Sequence, residues 1–288
     1  MAMQNLIKTI KQALVEDRSL PFSVYSSVKE QRLLNVPIVN PLFIAVLDGD
    51  KVLGKAREVV CHAGDFIFLS DSPAINMRNI PNKNEYFALL IEFEHEDFAG
   101  ISIENVGKSE EESSLGKDFS VGVISLELEK CLQQFVEWSL YSPTTMWSLR
   151  KKELLQLLCY MGHPDILAMA ASHKLGKKVS AMLSEQPSID VSLPTLCQQL
   201  GMSESTLRRK LNAEGTTVQA IKDQVKLGLG LHLLQTTKDS IVFIAEQCGY
   251  QSQSRFTSRF KGRFGLTPSE LRKTKLTDQG ENLTELRL

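Results

Sequence analysis

Arg208 and Arg209 lie within one helical turn of Ser205 and Thr206, and further along the chain Gln253, Ser254, Arg255, Thr257 and Ser258 repeat the same kind of polar group. These are hydrogen-bonding side chains suited to reading the edges of bases. An arginine fork can donate two parallel hydrogen bonds to O6 and N7 of guanine, and a glutamine amide can match N6 and N7 of adenine. Hydroxyls and the free N–H groups of a helix start suit phosphate oxygens. Such chemistry needs neither a nucleophile nor a metal. It needs each group to stand out from a rigid helix at a fixed pitch.

The surrounding residues supply that rigidity twice. Leu193, Leu196 and Leu200 share one helical stripe, Gly201 offers the positive φ that ends a helix, and Ser203 can cap the next one. Leu207 and Leu211, four apart, turn inward, which leaves Ser205, Thr206, Arg208 and Arg209 outside. The second copy has Ile241, Ile244, Ala245 and Cys248 as the inner stripe, Gly249 as the turn, Ser252 as the cap and Phe256 with Phe260 as the anchors. Cys197 and Gly201 map onto Ala245 and Gly249 at an offset of 48, and Ser203, Leu207 and Leu211 map onto Ser252, Phe256 and Phe260 at an offset of 49. The second turn is therefore one residue longer. Two helix-turn-helix units are expected, with reading helices over 203–212 and 252–262 and a joining helix over about 218–234. Thr267, Pro268 and Glu270 predict a closing helix with a capping box, Leu266 and Leu271 are spaced as its hydrophobic staple, and the tail from Thr277 to Leu288 is expected to be loose.

Charge separates along the chain. Residues 173–275 hold 16 basic and 8 acidic side chains, a net of +8, and the remainder holds 17 basic and 26 acidic, a net of −9. The overall value of −1 conceals a basic module fit for a polyanion, whose binding should weaken with salt.

On Ile244-Ala245, Gly249-Tyr250, Ser252, Phe256, Phe260-Lys261, Phe264-Gly265 and Thr267-Pro268, residues of about 175–275 resemble the DNA-binding domain of the AraC/XylS family of bacterial transcription regulators. Departures are Cys197 in place of the usual Ala, and Lys226 and Gly230 in the joining helix, where the family has Arg and Ala. Gly228 and Gly230 each cost that helix about 1 kcal/mol relative to Ala. The resemblance implies a sequence-specific regulator, an activator more often than a repressor, with RNA polymerase as a partner. It implies base-reading positions at Ser205, Arg208, Arg209, Gln253, Ser254, Arg255, Thr257 and Ser258. By their chemistry Ser252 and the helix N-termini are better suited to phosphate, and Arg259 is either a flanking phosphate contact or a surface charge. The two reading helices would enter successive major grooves of double-stranded DNA, about one turn apart.

The N-terminal half changes period. Runs at 42–47, 51–53, 58–61, 66–69, 74–78 and 86–93 read as short strands, with Asp48-Gly49-Asp50 as a hairpin turn. This suggests an antiparallel barrel or jelly roll, and in family terms a cupin-like sensing domain. Phe43, Ile44, Phe66, Phe68, Met77, Phe87 and Phe93 could line a ligand pocket or form ordinary core. His62 and His95 lack the H-x-H pairing of a metal cupin, so neither metal, cofactor nor catalytic role is expected. A cupin-type enzyme directed to DNA is the alternative reading.

The opening residues 1–19 are amphipathic, with Leu6, Ile10 and Leu14 at helical spacing. Residues 107–119 read as a polar loop, and 126–141 and 147–161 as a helical hairpin that either covers the sheet or forms a homodimer seam. Five cysteines without C-x-x-C pairs argue for free thiols, and no apolar run reaches membrane-span length, which together suit the cytoplasm. The expected class is α+β with two domains: a cupin-like antiparallel β-barrel or jelly roll with a helical hairpin, then an all-α double helix-turn-helix. The divisions are 1–106 as sensing domain, 107–170 as linker and hairpin, 171–276 as DNA-binding domain and 277–288 as tail. A small-molecule effector or a regulatory protein would act through the first.

Overall fold

The computed structural model describes residues 2–16, 18–55, 58–70, 74–83, 85–101, 119–170 and 174–275. The expected polar loop at 107–118 and the tail at 277–288 lie outside them.

Two antiparallel sheets organise the N-terminal half. The first runs β1 (Ser23–Ser27), β8 (Tyr86–Glu92), β3 (Leu42–Asp48), β6 (Asp65–Leu69), β9 (Phe119–Val123). The second runs β2 (Gln31–Val36), β7 (Ile75–Ile80), β4 (Asp50–Leu53), β5 (Val59–Cys61). Strand residues alternate faces, so the unbroken apolar runs of β3 and β8 mark a sheet covered on both sides. Phe43, Ala45, Leu47, Phe87, Leu89 and Ile91 face one core, and Ile44, Val46, Ala88 and Leu90 face another. Helices α1 (Ala2–Ala13), α2 (Leu126–Ser139) and α3 (Trp147–Tyr160) close the first core. In α1, Leu6 and Ile10 are fully buried as expected, but Leu14 follows the helix and is exposed. The second core is closed by the second sheet and by C-terminal helices.

Several expectations change. Asp48-Gly49-Asp50 is not a hairpin turn, because β3 and β4 belong to different sheets. The chain instead turns a corner at Gly49, where φ is 77° and a Cβ would sit 2.6 Å from the Ile80 carbonyl oxygen. β1, β2 and β9 were not marked by the sequence pattern, since each mixes polar with apolar residues. Phe119 starts β9 rather than ending a loop, so the sheet extends past residue 106. The seven pocket candidates all lie in the two cores, five aromatics in the first and Ile44 with Met77 in the second. Of these, only Phe87 also lines a described cavity. His62 is exposed, with Nδ1 2.9 Å from Asp50 Oδ1, while the neighbouring Cys61 is buried on the opposite face.

The C-terminal half is all helix: α4 (Asp165–Ala170), α5 (Leu175–Ser184), α6 (Leu193–Leu200), α7 (Glu204–Ala213), α8 (Val218–Thr236), α9 (Ile241–Gln247), α10 (Gln253–Phe264) and α11 (Pro268–Lys273). The closing helix carries the expected box: Thr267 Oγ1 accepts from Glu270 N at 3.2 Å, and Glu270 Oε2 accepts from Thr267 N at 2.7 Å. Those bonds hold the Glu270 carboxyl below its usual range.

Candidate nucleic-acid interface

Each reading helix begins at a serine with extended backbone. Ser203 Oγ accepts from Thr206 N at 3.3 Å, and Ser252 Oγ accepts from Arg255 N at 3.4 Å. This satisfies one of the free donors at each helix start and leaves others facing outward. The helices are then pinned from below by Leu207 and Leu211 in α7, and by Phe256, Phe260 and Phe264 in α10, all fully buried.

Ser205, Arg208 and Arg209 stand exposed on α7, as do Gln253, Ser254, Arg255 and Ser258 on α10, with Ser252 exposed at its cap. Thr206 and Thr257 are half-buried, so neither projects freely as expected. The Thr206 hydroxyl lies 3.0 Å from Ser203 Oγ, which engages it in the cap, and Ser205 Oγ is also 3.0 Å from that oxygen. Arg208 lies on the same exposed face as Glu204, one turn earlier, with Nη2 3.7 Å from Oε2. That acid was not among the sequence candidates, although its i, i+4 spacing to Arg208 is legible. Arg259 and Lys261 extend the exposed basic surface of α10. Arg263 instead turns inward, and burial lowers its pKa.

Spacing between the two helices is set by α8. Gly230 admits the Phe256 ring, since a Cβ there would come within 2.7 Å of it. Gly249, at φ 72°, lies so close to the backbone at Ser188 that a Cβ would be 2.8 Å from its carbonyl oxygen, which brings the second turn against the segment before α6. Gly230, which weakens α8 locally, thus allows a close crossing with α10, and a Cβ at Gly228 would come within 3.3 Å of Pro37.

The second unit also joins the N-terminal half through a polar seam. Val28 N and Lys29 N donate to the Thr274 carbonyl oxygen at 2.9 and 3.2 Å. Gln31 Nε2 donates to Thr274 Oγ1 at 2.7 Å, and Gln31 Oε1 accepts from Gln235 Nε2 and from Asn79 Nδ2, both at 2.9 Å. Behind them Lys51 Nζ donates to Asn79 Oδ1 at 2.7 Å, and burial pulls this amine down to about 8.

Beside the seam lies a cavity of about 430 Å³ between α1, β1 and the end of α8. Its cationic lining comprises Lys11, Arg18, Lys238 and Lys275, and its apolar lining includes Leu20, Phe22, Val24 and Phe87. Lys11 is paired with Glu85 at 2.7 Å. Lys275 donates to the Gln235 carbonyl, and among the described residues no carboxylate is within ion-pair distance of it. Burial, and then the charge of Arg272, hold the Lys275 amine near 8. Among the described residues no three His, Cys, Asp or Glu side chains cluster as a metal site, and no helix is long and apolar enough to cross a membrane. The five cysteines are free thiols, four of them buried.

A helix-turn-helix domain model matches residues 196–274. The chain is 30% identical over 94 residues to the urease operon transcriptional activator of Escherichia coli, covering 33% of this chain and 32% of that protein. It is 30% identical over 143 residues to the virulence regulon transcriptional activator VirF of Yersinia enterocolitica, covering 48% of this chain and 52% of that protein. The matched stretches thus span about a third and about half of these two relatives' lengths. Among solved structures, a point variant of apo ToxT from Vibrio cholerae superposes with a TM-score of 0.67 at 16% identity, over 90% of this chain and 99% of that one. Unsaturated fatty acid bound wild-type ToxT gives 0.63 at 16%, over 89% and 97%. That likeness is one of fold, and it extends over both halves of the chain.

Proposed function

We propose that this protein is a sequence-specific DNA-binding transcription activator of the AraC/XylS type. The observation that carries the reading is the duplicated reading head: two serine-capped helices, each pinned by buried apolar residues, each presenting Arg with Ser or Gln outward, within a module of net charge +8. Ser205, Arg208 and Arg209 would read one major groove, and Gln253, Ser254, Arg255 and Ser258 the next, with Thr206, Ser252 and Thr257 supporting the backbone approach. The sign of regulation is carried over from the relatives named as activators.

In this reading the two sheets form a cupin-like jelly roll that serves regulation, while homodimerisation and contact with RNA polymerase complete the assembly. The effector would occupy the cavity beside the seam. Cations next to an apolar wall fit an amphipathic carboxylate, the chemistry of the unsaturated fatty acid bound by ToxT.

The test is binding to a duplex enriched from a randomised pool. Arg208→Ala should weaken the enriched site by about 1–3 kcal/mol, with a smaller loss on random duplex. Equal losses on both would remove Arg208 from base reading.

A further inference from the structure

Glu204 is the single acid of α7, and α10 has none. It occupies the first position of the reading helix, about half exposed, on the surface that would meet a polyanion. Among the described residues its carboxylate pairs with no lysine and instead shares a face with Arg208, 3.7 Å away. A carboxylate so placed repels phosphate, and an exposed i, i+4 pair of this kind contributes little to helix stability. Two base edges offer it a major-groove donor, the N4 amino group of cytosine and the N6 amino group of adenine. Cytosine is the better match, because adenine sets the N7 acceptor, which a carboxylate repels, beside its donor.

We infer that Glu204 is a specificity-determining residue of the first reading head, accepting from a cytosine amino group next to the guanine read by Arg208. The inference rests on the regulator reading above. The pair would act in opposite senses. Arg208 draws the helix to DNA and favours guanine. Glu204 opposes nonspecific approach, because its charge is offset only where an amino donor faces it, and best by that of cytosine. The first head would therefore discriminate partly by rejection, whereas the second, with no acid, would bind more permissively.

The full-length chain, Glu204→Gln and Arg208→Ala are each used to enrich duplexes from a pool with a randomised core, and their base preferences are compared position by position. Glu204→Gln should relax one base pair by about tenfold, a pair other than the one relaxed by Arg208→Ala, and should tighten binding to random duplex by removing a like charge. A Glu204→Gln profile unchanged at every position overturns the inference alone, as does relaxation confined to the pair that Arg208→Ala relaxes. A wild-type chain that enriches no sequence overturns the regulator reading and this inference with it.

Discussion

Leu207 and Leu211 of the first unit occupy the places that Phe256 and Phe260 hold in the second, yet the two pairs bury against different parts of the molecule. The leucines close a small core of their own with Val179, Leu183, Leu196, Cys197, Ile221 and Val225. The phenylalanines belong to the core that continues into the sheets, together with Leu33, Val36 and Ile38 from the segment around β2. The first unit is fastened locally: the Glu214 carboxylate accepts from Leu175 N and Gly176 N at 2.7 and 2.8 Å and so caps α5. The second is fastened at a distance, through Thr274, Gln235 and the Arg263 carbonyl, which accepts from Asn35 Nδ2 at 3.2 Å. Identical local rules thus produce one self-contained unit and one unit continuous with the N-terminal half. Whatever alters the N-terminal domain should reach the second head first.

The sharpest way to break this contrast is to empty each anchor. Phe256→Ala should cost about 3–5 kcal/mol and Leu207→Ala about 2–5 kcal/mol, as for other large buried side chains. Their reach should differ more than their size. Hydrogen exchange in Phe256→Ala should rise in β1 and β2 as well as in α8 to α11. In Leu207→Ala the rise should be confined to α5, α6, α7 and the first half of α8. Equal spread from both variants would mean that the second unit is no more joined to the sheets than the first.

What could be read in the sequence divides along the same line. The caps, turns and anchors of both units follow from residues within a few positions of one another, so spacing alone exposes them. β3 and β8 were legible as strands, and their unbroken apolar runs carry the signal of burial on both faces, but which elements cover each face was not legible. Gly49 was legible as a turn residue, but not that it carries the chain from one sheet to the other. That depends on the Ile80 carbonyl, which is distant in sequence. Thr206 looked free because its spacing points it outward, and only the Ser203 cap draws its hydroxyl in. The cavity was illegible altogether, since Lys11, Phe87 and Lys275 come from three separate stretches of chain.

A ligand in that cavity should separate the units without any mutation. An amphipathic anion present at a hundredfold excess over its Kd stabilises the state that binds it by about 2.7 kcal/mol. Oleate, below its aggregation concentration, should raise the melting temperature and protect β1, the end of α8 and α11 from exchange, while α7 is unchanged. Oleyl alcohol should do neither, and Lys275→Gln should blunt the oleate effect. The pH dependence follows from the Lys275 amine, which burial holds near 8. A bound carboxylate favours the charged amine, so affinity should fall as pH rises through 8. Equal shifts from the acid and the alcohol, or no shift from either, would remove the carboxylate from the proposal.

The smallest expected effect lies in the two caps, where the units differ by one turn residue. Loss of a serine cap costs about 1 kcal/mol. The two amide bonds are alike, Thr206 N to Ser203 Oγ at 3.3 Å and Arg255 N to Ser252 Oγ at 3.4 Å, but Ser203 Oγ also lies 3.0 Å from both the Ser205 and Thr206 hydroxyls. Ser203→Ala should therefore cost more than Ser252→Ala in urea unfolding. In the second unit the longer turn places Tyr250 against Phe256, ring centroids 5.4 Å apart, so packing does part of what the cap does in the first. Tyr250→Ala combined with Ser252→Ala should then lose more than the sum of the two single changes, because each substitution leaves the helix start resting on the other. Strict additivity would show that the turn and the cap act separately, and that the extra residue only lengthens the connection.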